Sequence, residues 1–141
     1  MVSRNDIVDA ARKYLGVPFR KGGRDKNSLD CVGLLIMIHK DLGLPIEDDT
    51  NYTFAPTANV QMIQKFVFGQ SDPGGMVPKH GQIGVMMDSH FPMHFGIITK
   101  DGDRTQFINA NTKERRVVEQ DFVNWRPKLT HLREFKGLDL A

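Results

Sequence analysis

The sequence has one cysteine, Cys31, and no long apolar run. A single cysteine excludes an intramolecular disulfide and a zinc site built from several cysteines, so the thiol either fills the core, reacts, or bridges to another chain. The most apolar stretch, residues 31–38, is far shorter than the ~20 residues of a membrane span, so we expect no membrane insertion. The first residues lack the apolar segment of a secretory signal, which predicts synthesis in the cytoplasm without a signal peptide.

The chain also lacks a strong charge of either sign. Nineteen Lys and Arg stand against seventeen Asp and Glu, for a net charge of +2. This balance predicts no basic surface for nucleic acid. The chain has 141 residues, of which 40% are hydrophobic, enough for one continuous core, so we expect a single domain over residues 1–141.

The first half of the chain has the spacing of helices. Apolar residues from Ile7 onward predict a helix that stops at Gly16, with Ser3 and Asp6 as a capping box. A glycine-rich loop over residues 21–28 leads to a second helix from about Asp30 to Leu42, which puts Cys31 in its first turn. A third helix is expected from Thr57 or Asn59 to Val67, followed by a turn cluster over residues 71–75.

The second half has the short alternating runs of β-strands. A turn over residues 100–103 joins two of them as a hairpin. We expect strands over residues 83–87, 93–99, 105–109, 116–119 and 130–135. Helices followed by strands indicate an α+β fold in which an antiparallel sheet packs on the N-terminal helices.

The position of Cys31 suggests chemistry. A helix N-terminus lowers the pKa of a thiol through its free N–H groups, so a reactive thiolate is expected there. A base is then needed, and His94 is the best placed of five histidines, because it lies within an apolar strand pattern. Asn109 lies on the next predicted strand, where it could orient an imidazole on the same face. Each residue alone has a structural reading: a buried cysteine, a core histidine, and a turn-forming asparagine.

Five ordered blocks of the chain resemble the NlpC-type cell-wall cysteine peptidases of the papain-like superfamily. The block Leu29–Leu35 resembles the nucleophile motif, and His94–Ile98 resembles a His-x-Gly-Ile strand. The remaining blocks are residues 11–19, with a Gly-x-Pro-aromatic end, residues 81–86, where a core strand begins, and residues 107–110, around a third polar residue. The resemblance runs from Ile7 to about Phe135, and the order of the blocks is more specific than any one block.

The resemblance implies a papain-like NlpC fold and a hydrolase without a cofactor or metal. It makes Cys31 the nucleophile, His94 the general base and acid, and Asn109 the orienting residue, with an amide where the family often has a second histidine. It implies a peptidoglycan stem peptide as substrate, cut between γ-linked D-glutamate and the diamino acid. Asp30, Phe19 and Val32 are the expected substrate-binding residues, with Phe19 and Val32 standing where many such enzymes have Tyr and Ser.

The sequence leaves other functions open. The motif around Cys31 is most similar to short peptidases encoded with phage tails and gene transfer agents, which predicts phage-tail proteins as partners and a place in the virion tail, acting at the cell wall. A catalytically weak or inactive structural or wall-binding component of a tail tip is the alternative. An acyltransferase or amidase would also use Cys31 and His94, but it needs an apolar groove. A zinc site of Asp88, His90 and His94 is disfavoured because Pro92 interrupts the segment.

Overall fold

The computed structural model describes residues 2–48, 67–87 and 94–138. Two helices come first, α1 (Arg4–Arg12) and α2 (Cys31–Asp41), and the short hairpin of β1 (Arg24–Asp25) and β2 (Ser28–Leu29) lies between them. Six further strands follow: β3 (Ser71–Pro73), β4 (Ile83–Met86), β5 (His94–Asp101), β6 (Arg104–Asn111), β7 (Arg116–Asp121) and β8 (Leu129–Phe135).

Helix α1 begins where the sequence predicts. The Ser3 hydroxyl accepts the Asp6 N–H while the Asp6 carboxylate accepts the Ser3 N–H, which is the expected capping box. The helix ends at Arg12, and residues 13–16 turn the chain to Gly16, where φ is 87°. Its apolar side, which includes Ile7 and Ala11, is buried in the core.

Helix α2 is buried on nearly every side. Its N-cap is Asp30, whose carboxylate accepts the Gly33 N–H at 2.6 Å. The helix ends at Asp41, and Gly43 follows with φ of 69°, a conformation that favours glycine. The predicted span of this helix is confirmed, and Cys31 is its first residue.

The later strands form one antiparallel sheet in the order β3-β8-β4-β5-β6-β7. The five strands predicted after Gly81 are all present, and the turn that joins β5 to β6 contains Gly102 with φ of 61°. One face of the sheet packs against both helices, and the other packs against the segment that includes Phe122 and Trp125. The predicted α+β class, with helices packed on an antiparallel sheet, is confirmed.

Two local predictions were wrong. Residues 71–75 were expected to be a turn, but Ser71–Pro73 pairs with β8 as the edge strand of the sheet, where proline is tolerated because its missing N–H faces outward. The loop expected over residues 21–28 contains the β1–β2 hairpin. Strands β1, β2 and β3 have only two or three residues each, too few for a detectable alternation of polar and apolar residues.

The predicted third helix lies almost wholly outside the described residues. Of its expected apolar face only Val67 is described, and it is buried. Within the described residues, no helix combines the length and apolar character that crossing a bilayer requires.

Candidate active site

Cys31 lies in the first turn of α2, with its side chain buried against β5. Its exposed fraction is 3%. The backbone N–H of Phe95, the residue that follows His94, favours the charged form of this sulfur and lowers its pKa. The fold therefore places the thiol directly beside the strand that contains the candidate base.

The sulfur reaches β5 at the point where β5 and β6 separate. The β5–β6 ladder ends at the pair Ile97↔Ile108, although both strands continue to His94 and Asn111. Beyond that pair Phe95 has no ladder partner on β6, and its N–H is one of the groups that lower the pKa of the thiol. Cys31 and helix α2 lie on one face of the sheet, and the His94 side chain lies on the opposite face. The opening of the ladder allows Cys31 to approach the strand that contains His94.

The Asp30 carboxylate holds the start of α2 to the preceding loop. One oxygen accepts the Gly33 N–H and the Arg24 guanidinium, at 2.6 and 3.0 Å, and the other accepts the Gly22 N–H at 2.7 Å. Asp30 is fully buried. Its role as the N-cap and as the ion-pair partner of Arg24 is structural, and the substrate contact expected from the resemblance stays a prediction.

Gly33 is required for the same contact. A Cβ on Gly33 would overlap the Gly23 carbonyl oxygen. The small residue in the nucleophile motif therefore allows the 22–24 loop to pack on the helix start.

The expectation that the helix start lowers the thiol pKa was wrong. Burial, and after it the negative charge of Asp30, raises the pKa of the Cys31 thiol to about 12. The backbone N–H groups of Phe95, Val32 and Cys31 act in the opposite direction but do not offset the burial. The resting side chain is thus a neutral thiol, and forming the thiolate requires a base.

His94 and Asn109 meet on one face of the sheet, as predicted. The His94 Nε2 lies 3.0 Å from the Asn109 Oδ1, and both side chains are buried. Their strands are neighbours, and the register places Gly96 beside Asn109 in line with the ladder pairs. Gly96 is needed here, because a Cβ would lie 2.5 Å from the Phe107 ring and would overlap the Ile108 carbonyl oxygen.

Aromatic rings fix the plane of the imidazole. Trp125 stacks on His94 with ring centroids 5.2 Å apart and planes 25° apart. Phe107 contacts the same imidazole edge-on at 6.2 Å. Residues from β6 and from the turn after β7 thus hold His94 in a single orientation, which a general base needs.

The other described histidines have different surroundings. The His39 Nδ1 bonds to the Leu35 carbonyl within α2, and the His80 Nδ1 accepts the Lys100 N–H. His131 is exposed on β8. Among the described residues, only His94 lies on the strand that contacts Cys31, and His90 lies outside them.

The expected substrate-binding residues Phe19 and Val32 have structural contacts. Phe19 is partly buried, packs on the core and donates its N–H to the Arg115 carbonyl. Val32 is buried and lines a small apolar cavity with His39 and Val67. The volume of this cavity is about 10 Å³, which is room for one water, so the cavity is too small to bind an acyl chain. Substrate binding by Phe19 and Val32 stays a prediction.

Three residues of the site were not identified from the sequence: Asn111, Gln120 and Trp125. Each is joined to Asn109 or to a partner of Asn109 by a hydrogen bond. Only their position in the sheet and its following turn brings them to the site. No group of three metal-ligating side chains occurs among the described residues, and Asp88 and His90 of the zinc alternative fall outside that part of the chain.

The fold is similar to several solved structures. The NlpC/p60 domain of the peptidoglycan hydrolase SagA matches with a TM-score of 0.65 and 20% identity over 95% of this chain and 100% of that one. NlpC2 from Trichomonas vaginalis matches with 0.65 and 23% over 96% of this chain and 47% of that one. An NlpC/p60 family protein from Bacillus cereus ATCC 10987 matches with 0.70 and 16% over 94% and 40%.

Comparison of sequences gives no further likeness, because no protein-family model and no curated protein matches the chain. The structural similarity spans nearly the whole described chain and is shared by domains of one family. Together with the helix-on-sheet arrangement and the placement of Cys31 and His94, it shows that the protein has the α+β NlpC/p60 fold, of papain-like type.

Proposed function

We propose that the protein is a cysteine peptidase that hydrolyses peptidoglycan stem peptides. The observation that supports this most directly is the buried hydrogen bond between His94 and Asn109. His94 lies on β5 directly before Phe95, whose backbone N–H lowers the pKa of the Cys31 thiol. A thiol, an imidazole and an orienting amide are the groups that acyl transfer through a thioester requires. The fold shared with the NlpC/p60 domain of a peptidoglycan hydrolase supports the substrate class.

In this mechanism the neutral Cys31 thiol gives its proton to His94 as the sulfur attacks the amide carbonyl. The developing oxyanion accepts hydrogen bonds near the start of α2, where the N–H groups of Cys31 and Val32 already favour negative charge on the sulfur. His94 then protonates the leaving amine, and water hydrolyses the thioester. The raised thiol pKa means that proton transfer accompanies attack, so no thiolate is stored in the resting enzyme.

The finer substrate assignment follows the resemblance. The bond cut is the one between γ-linked D-glutamate and the diamino acid, and we propose Asp30, Phe19 and Val32 as the residues that bind the peptide. Delivery by a phage tail or gene transfer agent rests on the motif from Asp30 to Leu34. Detection of the protein by mass spectrometry in purified particles supports that delivery, and its presence only in the free protein fraction contradicts it.

The hydrolase is tested with purified muropeptides and mass spectrometry of the products. The parent protein is expected to cleave, and the Cys31→Ala and His94→Ala variants are expected to be inactive. His131→Ala is the matched control, because this exposed histidine lies away from the His94–Asn109 pair. Cleavage by Cys31→Ala at the parental rate would refute the mechanism.

The burial of Cys31 favours a second candidate, a wall-binding or structural component that keeps the fold without turnover. A thiol with 3% exposure and a raised pKa is also what an inert core cysteine has. In that case the parent does not cleave muropeptides and Cys31 resists iodoacetamide at neutral pH, while sedimentation with purified sacculi retains the protein.

A further inference from the structure

The direction of the Asn109 amide is determined by the hydrogen bonds around it. Its side chain bonds to His94, Asn111 and Gln120, and Trp125 acts on it through Gln120. Asn109 Nδ2 donates to Gln120 Oε1 at 3.1 Å, and Gln120 Oε1 also accepts the Trp125 indole N–H at 3.0 Å. Asn111 Nδ2 donates to Asn109 Oδ1 at 3.1 Å, the oxygen that also bonds to His94. The network therefore begins at donor-only groups, such as the Trp125 indole N–H, and ends at the imidazole.

The first route starts at Trp125. An indole N–H can only donate, so the atom of Gln120 that faces it must be the amide oxygen. The same oxygen faces Asn109, which must therefore present its NH₂ group to Gln120. The Asn109 oxygen is left to face His94.

A second route leads to the same orientation. The backbone N–H of Glu114, in the turn after β6, donates to Asn111 Oδ1 at 2.9 Å. A backbone N–H can only donate, so Asn111 must present its NH₂ group to Asn109 and to Gln120 Oε1, which lies 3.4 Å away. The Asn109 atom facing Asn111 must then be its oxygen, in agreement with the first route.

We propose that Asn111 and Gln120 are positioning residues that set the tautomer of His94. With its oxygen fixed toward the imidazole, Asn109 accepts a hydrogen bond from Nε2–H and cannot donate one to Nε2. A neutral His94 therefore has its proton on Nε2 and its lone pair on Nδ1. Nδ1, which carries the lone pair, is then the atom that can accept a proton. The inference deepens the proposed function and rests on it for the role of His94 as base.

The test is a matched pair of substitutions that make the same chemical change at two sites. Gln120→Glu replaces an amide whose oxygen already accepts all three hydrogen bonds, from Asn109, Asn111 and Trp125, so the network and the Nε2–H tautomer are retained. Asn111→Asp replaces an amide whose nitrogen donates, so the new carboxylate faces the Asn109 oxygen and favours reversal of that amide. Reversal directs an NH₂ group at Nε2 and shifts the imidazole proton to Nδ1.

The tautomer is read from the ¹⁵N chemical shifts of the His94 ring at pH 8. The Cys31→Ala background is used, so that no thiol can exchange a proton with the imidazole. We expect Nε2–H in this background and with Gln120→Glu, and Nδ1–H with Asn111→Asp. A proton on Nδ1 without any network substitution overturns the proposal, even if the Asn111→Asp variant does not fold.

Turnover is measured separately with Cys31 present. Asn111→Asp is expected to lower kcat for muropeptide hydrolysis by about 10²-fold or more with little change in KM, the size of a lost general base, and to lose more than Gln120→Glu, in which the acceptor oxygen is kept. Equal losses in both variants, or none in either, would contradict the proposal. If the parent does not cleave muropeptides but the tautomers behave as expected, the proposed function is wrong and the positioning roles are right.

Discussion

Replacing Asp30 with Asn is expected to make the protein less stable and its only thiol more acidic. The carboxylate accepts three hydrogen bonds from Gly22, Arg24 and Gly33 while fully buried. An asparagine can keep its oxygen toward Gly33 and Arg24, but its NH₂ group then faces the Gly22 N–H. One hydrogen bond to a charged acceptor is lost and a buried donor is left unpaired.

The loss is worked from those contacts. A hydrogen bond to a charged group contributes about 1.5–3 kcal/mol, and asparagine caps a helix about as well as aspartate. We therefore expect the free energy of unfolding to fall by about 1.5–3 kcal/mol in guanidinium chloride denaturation. Asp103→Asn, an exposed carboxylate in the β5–β6 turn, is the control and is expected to have little effect.

The same substitution changes the thiol in the opposite sense. Asp30 raises the pKa of Cys31, so its removal lowers that pKa, but burial is the larger cause and keeps the pKa above its ordinary value. Cys31 is the only cysteine, so the pH dependence of iodoacetamide labelling reports on this thiol alone. A variant as stable as the parent, or a labelling midpoint that does not fall, would refute the role assigned to Asp30.

Two further predictions concern pH and packing. The folded Cys31 keeps its proton up to about pH 12, whereas the thiol of the unfolded chain loses its proton near the ordinary pKa of cysteine. The free energy of unfolding is therefore unaffected at neutral pH. Above about pH 9 it falls by about 1.4 kcal/mol per pH unit because of this proton. The raised pKa of Tyr14 adds to the loss at still higher pH, and Cys31→Ser should remove only the thiol part of the slope in alkaline denaturation. Gly96→Ala puts a methyl group against Phe107 and the Ile108 carbonyl, so thermal unfolding should show a loss of about 1–3 kcal/mol, with muropeptide hydrolysis reduced because His94 is displaced. Unchanged stability of this variant would show that the strand can move apart without cost.

Local sequence patterns were sufficient for most elements. Ser3 and Asp6 form the predicted capping box, Asp30 is the N-cap of the predicted second helix, and the turn that contains Gly102 joins the predicted strands. These features depend on residues a few positions apart. The β1–β2 hairpin and the edge strand Ser71–Pro73 were not predicted, because two or three residues have no measurable periodicity and pair only when a partner strand is in place.

The candidate site divides in the same way. The sequence pointed to Cys31, His94 and Asn109, because a helix start and two neighbouring strands follow from local pattern, and the His94–Asn109 contact follows from sheet alternation. It gave the wrong direction for the thiol pKa, because the helix start is visible in the sequence but the depth of burial is not. It also missed Gln120, whose contacts with Asn109 and Trp125 exist only after β7 and the following turn fold back on β6.

The sequence by itself thus determined the α+β class and the three residues that the resemblance assigns to chemistry. The tertiary structure decided how these residues are protonated and oriented. Protonation depends on burial and on charges brought together from distant positions, and amide orientation depends on donor-only groups such as the Trp125 indole. Neither the protonation of Cys31 nor the orientation of the Asn109 amide follows from residue spacing, because both depend on contacts that form only in the folded sheet.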